Sequence, residues 1–385
     1  MSGSQIICII FTSLVMIYSI PIILSFVGVF CFDFKSHYNL SYRKFLWITI
    51  LLISIAIIGL RYKVGGDTLA YMNDYIWRKP LTEWKFTFVD SYQPAYTFLC
   101  AIGKSISSEF YVFQIIHATI FNSLLFVFLY KNTRYIFSAL IGLFLSSYLY
   151  FSTEILREIL AVMIFAFNYK NLKDEKWIKY YLGVFISICF HISAIFLILI
   201  PLFRKLKFNS TYFLVTAILS IVLLESKPIL NAIGGWTIFM GKIDVYIDMN
   251  STGFLSDFLQ LCRYFFLPLF FGMLCRYKLK KEIAFENMVA IFSLIGLASF
   301  FNFIIFGRLL NYFILFFIMS IVEFSIPAIK SHKKNLRQIG SIITITYFIL
   351  FSSGNLMYGK YTRWYPYYSI FNPISINRDN YDNIQ

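Results

Sequence analysis

The sequence is short of charge, and shortest of acid. Only 14% of its 385 residues are Asp, Glu, Lys or Arg. A soluble domain carries roughly a quarter, so a surface that faces water on all sides is excluded. Asp and Glu number 19 against 34 Lys and Arg, a formal net charge of +15. The excess does not mark a nucleic-acid binder, because the cations fall in short clusters between apolar runs rather than along one face. Cysteine is scarce too: Cys8, Cys31, Cys100, Cys189, Cys262 and Cys275 show no paired spacing. Most lie in or beside apolar runs, where a thiol behaves as a small hydrophobe, and neither a disulfide nor a metal site is expected. There is no P-loop, zinc motif or serine-hydrolase elbow, and no internal repeat is visible. The first apolar run lacks a basic start and a convincing small-residue cleavage site, so it reads as a retained helix.

What the chain has in quantity is apolar bulk: 59% hydrophobic residues, 45 Phe and 28 Tyr, with a mean hydropathy of +0.71. Several apolar runs exceed the ~18 residues that separate a membrane span from a buried core helix. The fold class expected is all-α: one polytopic transmembrane domain over residues 1–385. Spans are read near Gln5–Phe30, Phe45–Leu60, Phe110–Tyr130, Ile136–Ser152, Leu156–Asn168, Tyr212–Leu224, Phe258–Cys275, Phe285–Phe306, Leu309–Ile329 and Ile339–Ser353.

Six of the connections are basic: Lys35/Arg43/Lys44, Lys131/Arg134, Lys170/Lys173/Lys176/Lys179, Arg204/Lys205/Lys207, Arg276/Lys278/Lys280/Lys281 and Lys330/Lys333/Lys334/Arg337. Lys and Arg accumulate on cytoplasmic loops, so all six are expected there. The apolar run Tyr180–Phe203 then poses a conflict, since it has a basic cluster at each end. A hairpin with its tip at Phe190-His191-Ile192-Ser193 keeps both clusters on one side; the alternative is one ordinary span with a misplaced cluster. This topology leaves periplasmic loops at 61–109 and 225–257 and a periplasmic tail at 354–385. Within the first loop, Tyr92–Ser107 is too short to span and is expected to lie in the interface.

Ionisable groups at membrane depth, or on the wrong side for the charge rule, are the candidates for function. The first loop opens Arg61-Tyr62-Lys63-Val64-Gly65-Gly66-Asp67, followed by Tyr71, Asp74 and Tyr75. Arg suits a phosphate or diphosphate because its planar fork donates paired hydrogen bonds, and a Gly pair lets backbone approach a ligand closely. Interfacial snorkelling is the competing account of Arg61 and Lys63. Glu154, Arg157 and Glu158 stand at i, i+3 and i+4, on one helix face, either as a site or as a self-neutralising group at a helix start. Arg263 lies one turn into a span, and Arg308, Asn311 and Tyr312 share a face at the start of another. His191 is a deep imidazole: a hydrogen-bonded core residue, or a general base in a polar cavity. His117 and Gln114 read as packing or inter-helix hydrogen bonding.

The segments RYKVGGDTLAYMNDY, STEILREILAVMIF, CFHISAIFLILIP, FGRLLNYF and YPYYSIF occur in an order that resembles the EpsG-like branch of Wzy-type polysaccharide polymerases. The resemblance runs from about Arg61 to Phe371. It implies a GT-C-like helical glycosyltransferase of the bacterial inner membrane, with its active site facing the periplasm. Such an enzyme polymerises undecaprenyl-diphosphate-linked oligosaccharide repeat units into O-antigen or capsular polysaccharide. Its partners would be a lipid-linked donor and acceptor, the bilayer and a chain-length regulator; it would need no cofactor and no metal. On this reading Arg61, Arg157, Arg308 and Arg263 hold the diphosphate, Asp67 or His191 serves as catalytic base, and Tyr71, Asp74, Glu154, Glu158 and Tyr312 contact substrate. The competing functions are another lipid-linked glycan transferase, such as a ligase, and a flippase or transporter for the repeat unit.

Overall fold

The computed structural model describes residues 17–88, 93–224, 254–300, 304–356, 361–365 and 367–373. The expected loop 225–257 therefore lies almost wholly outside the described residues, as do the start of the first span and the end of the tail. Among the described residues every regular element is a helix, and the only bridges between extended segments are Arg61↔Ser369 and Ser369↔Asn372. The chain gathers into two compact units: Met1–Phe167 with Leu182–Ala194 and Ser352–Gln385, and Asn168–Tyr181 with Ile195–Phe351.

In the first unit the helices are α1 (Ile17–Asp33), α2 (Leu40–Gly59), α3 (Thr68–Ile76), α4 (Pro94–Ile106), α5 (Phe110–Asn132), α6 (Ile136–Ser146), α7 (Tyr148–Thr153) and the first turns of α8 (Leu156–Lys173). Asn39 caps α2, its side chain accepting from the Ser41 and Tyr42 N–H groups, which satisfies donors a helix start leaves over. α2 and α5 pack antiparallel. Arg43 meets Tyr130 and Arg134 at one end, Trp47 stacks on Phe126 midway, and Gly59 lies against Ile115 at the other. α1 runs against α6 and the C-terminal segment, with Asp33 bonded to Ser138 and Tyr18 beside Tyr367. The unit thus has a basic end (Lys35, Arg43, Arg134) and an opposite end some ~30 Å away, the length of the 20-residue α2 at 1.5 Å per residue. Phe45, Ile48 and Leu52 form an exposed apolar stripe on α2, as expected of a face turned to lipid rather than water.

The second unit contains α10 (Ser210–Leu224), α11 (Leu255–Lys278), α12 (Glu286–Phe300), α13 (Ile304–Leu309), α14 (Ile314–Ile329) and most of α15 (Lys334–Leu356). Polar clips gather its basic clusters at one end. Arg204 pairs with Glu175 at 3.0 Å and stacks over Trp177; Asn287 bonds Tyr169 and the Arg204 carbonyl; Glu286 pairs with Arg276 and accepts the Phe208 N–H.

The run Tyr180–Phe203 is a doubled-back hairpin. α9 (Trp177–Phe190) stops at His191 and a 3₁₀ helix continues over Ile192–Phe203. The Tyr180 hydroxyl donates to the Leu197 carbonyl at 2.6 Å. A straight helix would hold those two residues about 25 Å apart, so a single continuous span is ruled out for this segment.

Among the described residues three helices are long and apolar enough to cross a membrane, Leu40–Gly59, Phe110–Asn132 and Leu255–Lys278; the pair Phe306–Tyr312 and Ile314–Ile329, bent by 51°, makes up to four. Ten spans were expected. Six other apolar helices of 10–17 residues fall short by length. The expected span Ile136–Ser152 is in fact two helices, broken at Ser147, whose backbone sits at φ −149°, ψ 0°.

Candidate functional site

At the end of the first unit opposite its basic clusters, three segments distant in sequence are stitched together. The first is the loop leaving α2. Lys63 and Gly65 both have positive φ, 51° and 112°, a region open to Gly and strained for other residues. This lets the loop turn sharply enough to start α3 at Thr68. The second is the break between α7 and α8 at Glu154-Ile155. The third is the C-terminal segment, with the short helix α16 (Tyr361–Trp364) and, further on, a turn at Ile370–Phe371 that bridges Ser369 to Asn372.

Backbone bonds join the first and third: Tyr62 N–H to the Tyr368 carbonyl at 2.8 Å, Gly65 N–H to the Arg363 carbonyl at 3.0 Å, and Ile370 N–H to the Leu60 carbonyl at 3.0 Å. The second is joined to the third by Trp364 Nε1–H, which donates to Thr153 Oγ1 at 3.1 Å, and by the ion pair of Arg363 Nη1 with Glu154 Oε2 at 3.2 Å. α5 braces the assembly from below. Gln114 Nε2 donates to the Gly59 and Arg61 carbonyls at 2.7 and 2.8 Å, and His117 Nε2 bonds the Leu156 carbonyl at 2.7 Å. A carbonyl only accepts, so this imidazole carries its proton on Nε2. Both residues thus do the inter-helix bonding expected of them.

The sequence-derived candidates fall as follows. Arg61 is buried, its Nη1 donating to the Ile58 carbonyl at 2.5 Å and its Nε to the Val64 carbonyl at 3.1 Å. It closes the C-terminal end of α2, where a cation meets unsatisfied carbonyls and the negative end of the helix dipole. Burial pushes the guanidinium down to about 10, opposed by the nearby phenols of Tyr18, Tyr367 and Tyr148, so it remains a cation at neutral pH. Asp67 is exposed at the start of α3. Asp74 is held by Arg78 through two bonds, 2.9 and 2.5 Å. Arg157 is half-buried with its guanidinium 5.9 Å from the Tyr96 ring centre, and Tyr71 packs on the same Tyr96. Glu154 and Glu158 are buried on either side of Arg157 in sequence.

His191 sits at the hairpin tip, in the part of the chain that belongs to the first unit. Its Nδ1 accepts the Ser193 N–H at 3.3 Å and lies 2.7 Å from Ser193 Oγ, so the imidazole caps the 3₁₀ helix that follows. Arg263, Arg308 and Tyr312 belong to the second unit. Arg263 stands in a π-turn of α11 and donates to the Leu350 carbonyl at 2.5 Å. Arg308 and the buried Tyr312 precede the bend at Phe313.

Two residues of this end were not singled out from sequence. Arg78 is one, paired with Asp74 one helical turn before it. Arg363 is the other. It stands just before the YPYYSIF segment as a cation in the tail expected outside, the same sign of a charge on the wrong side that drew attention to Arg61. Residues 44–369 match the model of the EpsG family. No curated protein and no solved structure matches the chain.

Proposed function

The chain belongs to the EpsG family, which marks it as a polymerase-like membrane protein of polysaccharide biosynthesis, and from that premise we propose that it polymerises undecaprenyl-diphosphate-linked repeat units at the periplasmic face of the inner membrane. The supporting observation is the stitched end of the first unit. There Arg157, Glu154 and the Arg61–Asp67 loop converge about one membrane thickness from the cations of Lys35, Arg43 and Arg134. With those cations cytoplasmic, this end faces the periplasm. The ten expected spans are kept as part of the proposal, the shorter helices crossing together with their flanking turns, in a GT-C-like arrangement.

In the reaction, an acceptor hydroxyl of the newly delivered repeat unit attacks the anomeric carbon of the growing chain. The carbon–oxygen bond to the diphosphate breaks, its electron pair leaves with undecaprenyl diphosphate, and the hydroxyl proton passes to a base. Arg157 is assigned to the leaving diphosphate, as preorganised charge for a developing anion. Arg61, bonded to the Ile58 carbonyl of α2 and to the Val64 carbonyl of the loop, acts by holding that loop in shape. Asp67 and His191 remain the two candidates for the base. Tyr71, Asp74, Glu154 and Glu158 are assigned to the sugars.

Purified protein given synthetic lipid-linked repeat units should build a ladder of products without nucleotide or added metal. Transfer of single units to another acceptor, or movement of the lipid across a vesicle with no chain growth, would refute the polymerase reading. Arg157→Ala is expected to lower chain growth by ~100-fold or more at normal protein abundance. Asp67→Asn and His191→Ala should be assayed separately, and full activity in both would remove both from the base assignment.

A further inference from the structure

We infer that Arg363, in the C-terminal segment, is a diphosphate-contacting residue of the site and that Glu154 positions it. The inference rests on the polymerase reading and adds to it a residue and a segment. Four observations carry it. The carboxylate of Glu154 is 4% exposed whereas Arg363 is 28% exposed, so the pair runs from the protein interior to an accessible guanidinium. The Arg363 side chain lies across Gly66; a Cβ on that glycine would stand 3.1 Å from Arg363 Cδ and 3.3 Å from Nη1. Its main chain is held by Gly65 N–H on the Arg363 carbonyl, and the next residue by the Trp364 indole N–H on Thr153 Oγ1. Glu154, in turn, is the residue three before Arg157, so one helix start carries both the anchor of Arg363 and the cation that rests on Tyr96.

A guanidinium presents its N–H donors as a planar fork that matches phosphoryl oxygens. A purely structural clasp gains little from leaving its cation more than a quarter exposed beside a glycine pair. A residue that must meet two phosphoryl groups needs that access. Glu154 then fixes the rotamer of a long side chain and lowers the entropy lost when a lipid diphosphate arrives.

The test uses the full chain in lipid nanodiscs, with undecaprenyl diphosphate and undecaprenyl monophosphate as binding probes. R363A should weaken diphosphate binding by about 10- to 100-fold, the range of a charge-assisted hydrogen bond, and weaken the monophosphate less. R363K keeps the charge opposite Glu154 but not the fork. It should protect the tail from protease as the wild type does while still binding the diphosphate poorly. The swap E154R/R363E should restore tail protection without restoring binding. Wild-type affinity in R363A or R363K, or recovery of binding in the swap, would show that the pair is only a clasp and overturn the inference. If wild-type protein binds the diphosphate but grows no chain, the polymerase reading fails while R363A still judges Arg363. If wild-type protein binds neither probe, both fail.

Discussion

At Gly65 the chain passes through φ +112°, and a Cβ there would stand 2.9 Å from both the Cβ and the carbonyl oxygen of Thr153. Neither atom is the far end of a flexible side chain, so Gly65→Ala meets backbone strain and a contact that cannot yield. It should destabilise the first unit by about 1–3 kcal/mol, read as a lower thermal unfolding midpoint in detergent. Gly66→Ala, next in sequence, meets only the movable Arg363 side chain and should unfold close to the wild type. Equal midpoints for the two variants would contradict this account of the loop. The same logic applies to Gln114, whose amide satisfies two carbonyls at the end of α2. Gln114→Leu leaves both without that donor and should cost about 1–3 kcal/mol, although the residue touches nothing assigned to substrate. From sequence the Gly pair was legible because its chemistry is local. The partner of Glu154 was not, because Arg363 lies 209 residues away and no spacing rule links them.

Among the elements, the hairpin at Tyr180–Phe203 shows what a charge rule reads and what it leaves out. Two basic clusters flanking one apolar run favoured a chain that turns back over a single span with a misplaced cluster, and the turn falls at His191, within the four residues proposed for the tip. The rule is silent on how the two arms are held. The answer is Tyr180 on Leu197 and Arg204 on Glu175 and Trp177, long-range contacts between residues individually unremarkable in sequence. Conversely, hydropathy joined Ile136–Ser152 into one span because the Ser146-Ser147 pair sits between apolar runs and Ser147 breaks the helix through its backbone. Tyr180→Phe should loosen the hairpin by about 1 kcal/mol. A stronger check pairs cysteines at Glu175 and Arg204, which a short bismaleimide should cross-link efficiently. In one continuous span the two positions would be ~44 Å apart, and no cross-link would form.

For the whole molecule, composition settled the class early: too little charge to be wetted, and helices apolar on faces that no protein covers, such as Phe45, Ile48 and Leu52 on α2. Orientation rests on a different kind of argument, made within each unit separately. In the first, Arg43 and the Arg134 carbonyl meet at 2.7 Å; in the second, Glu175, Glu286 and Asn287 draw the clusters around Lys170, Arg204 and Arg276 to one end. Each pairing gathers basic connections at one end of its unit, the end that the orientation bias makes cytoplasmic. Single cysteines introduced at Lys35, Lys131, Lys205, Lys278 and Lys333 should therefore all resist a membrane-impermeant maleimide applied to intact spheroplasts and react once the membrane is opened. A cysteine at Asp67, exposed at the far end of the first unit, should react from outside without opening. Labelling of Lys205 from outside would reverse the assignment of the hairpin and of everything after it. Failure of Asp67 to label from outside would move the stitched end of the first unit to the cytoplasm, where a lipid-linked repeat unit already delivered to the outer leaflet cannot meet it, and the proposed reaction would have no substrate there.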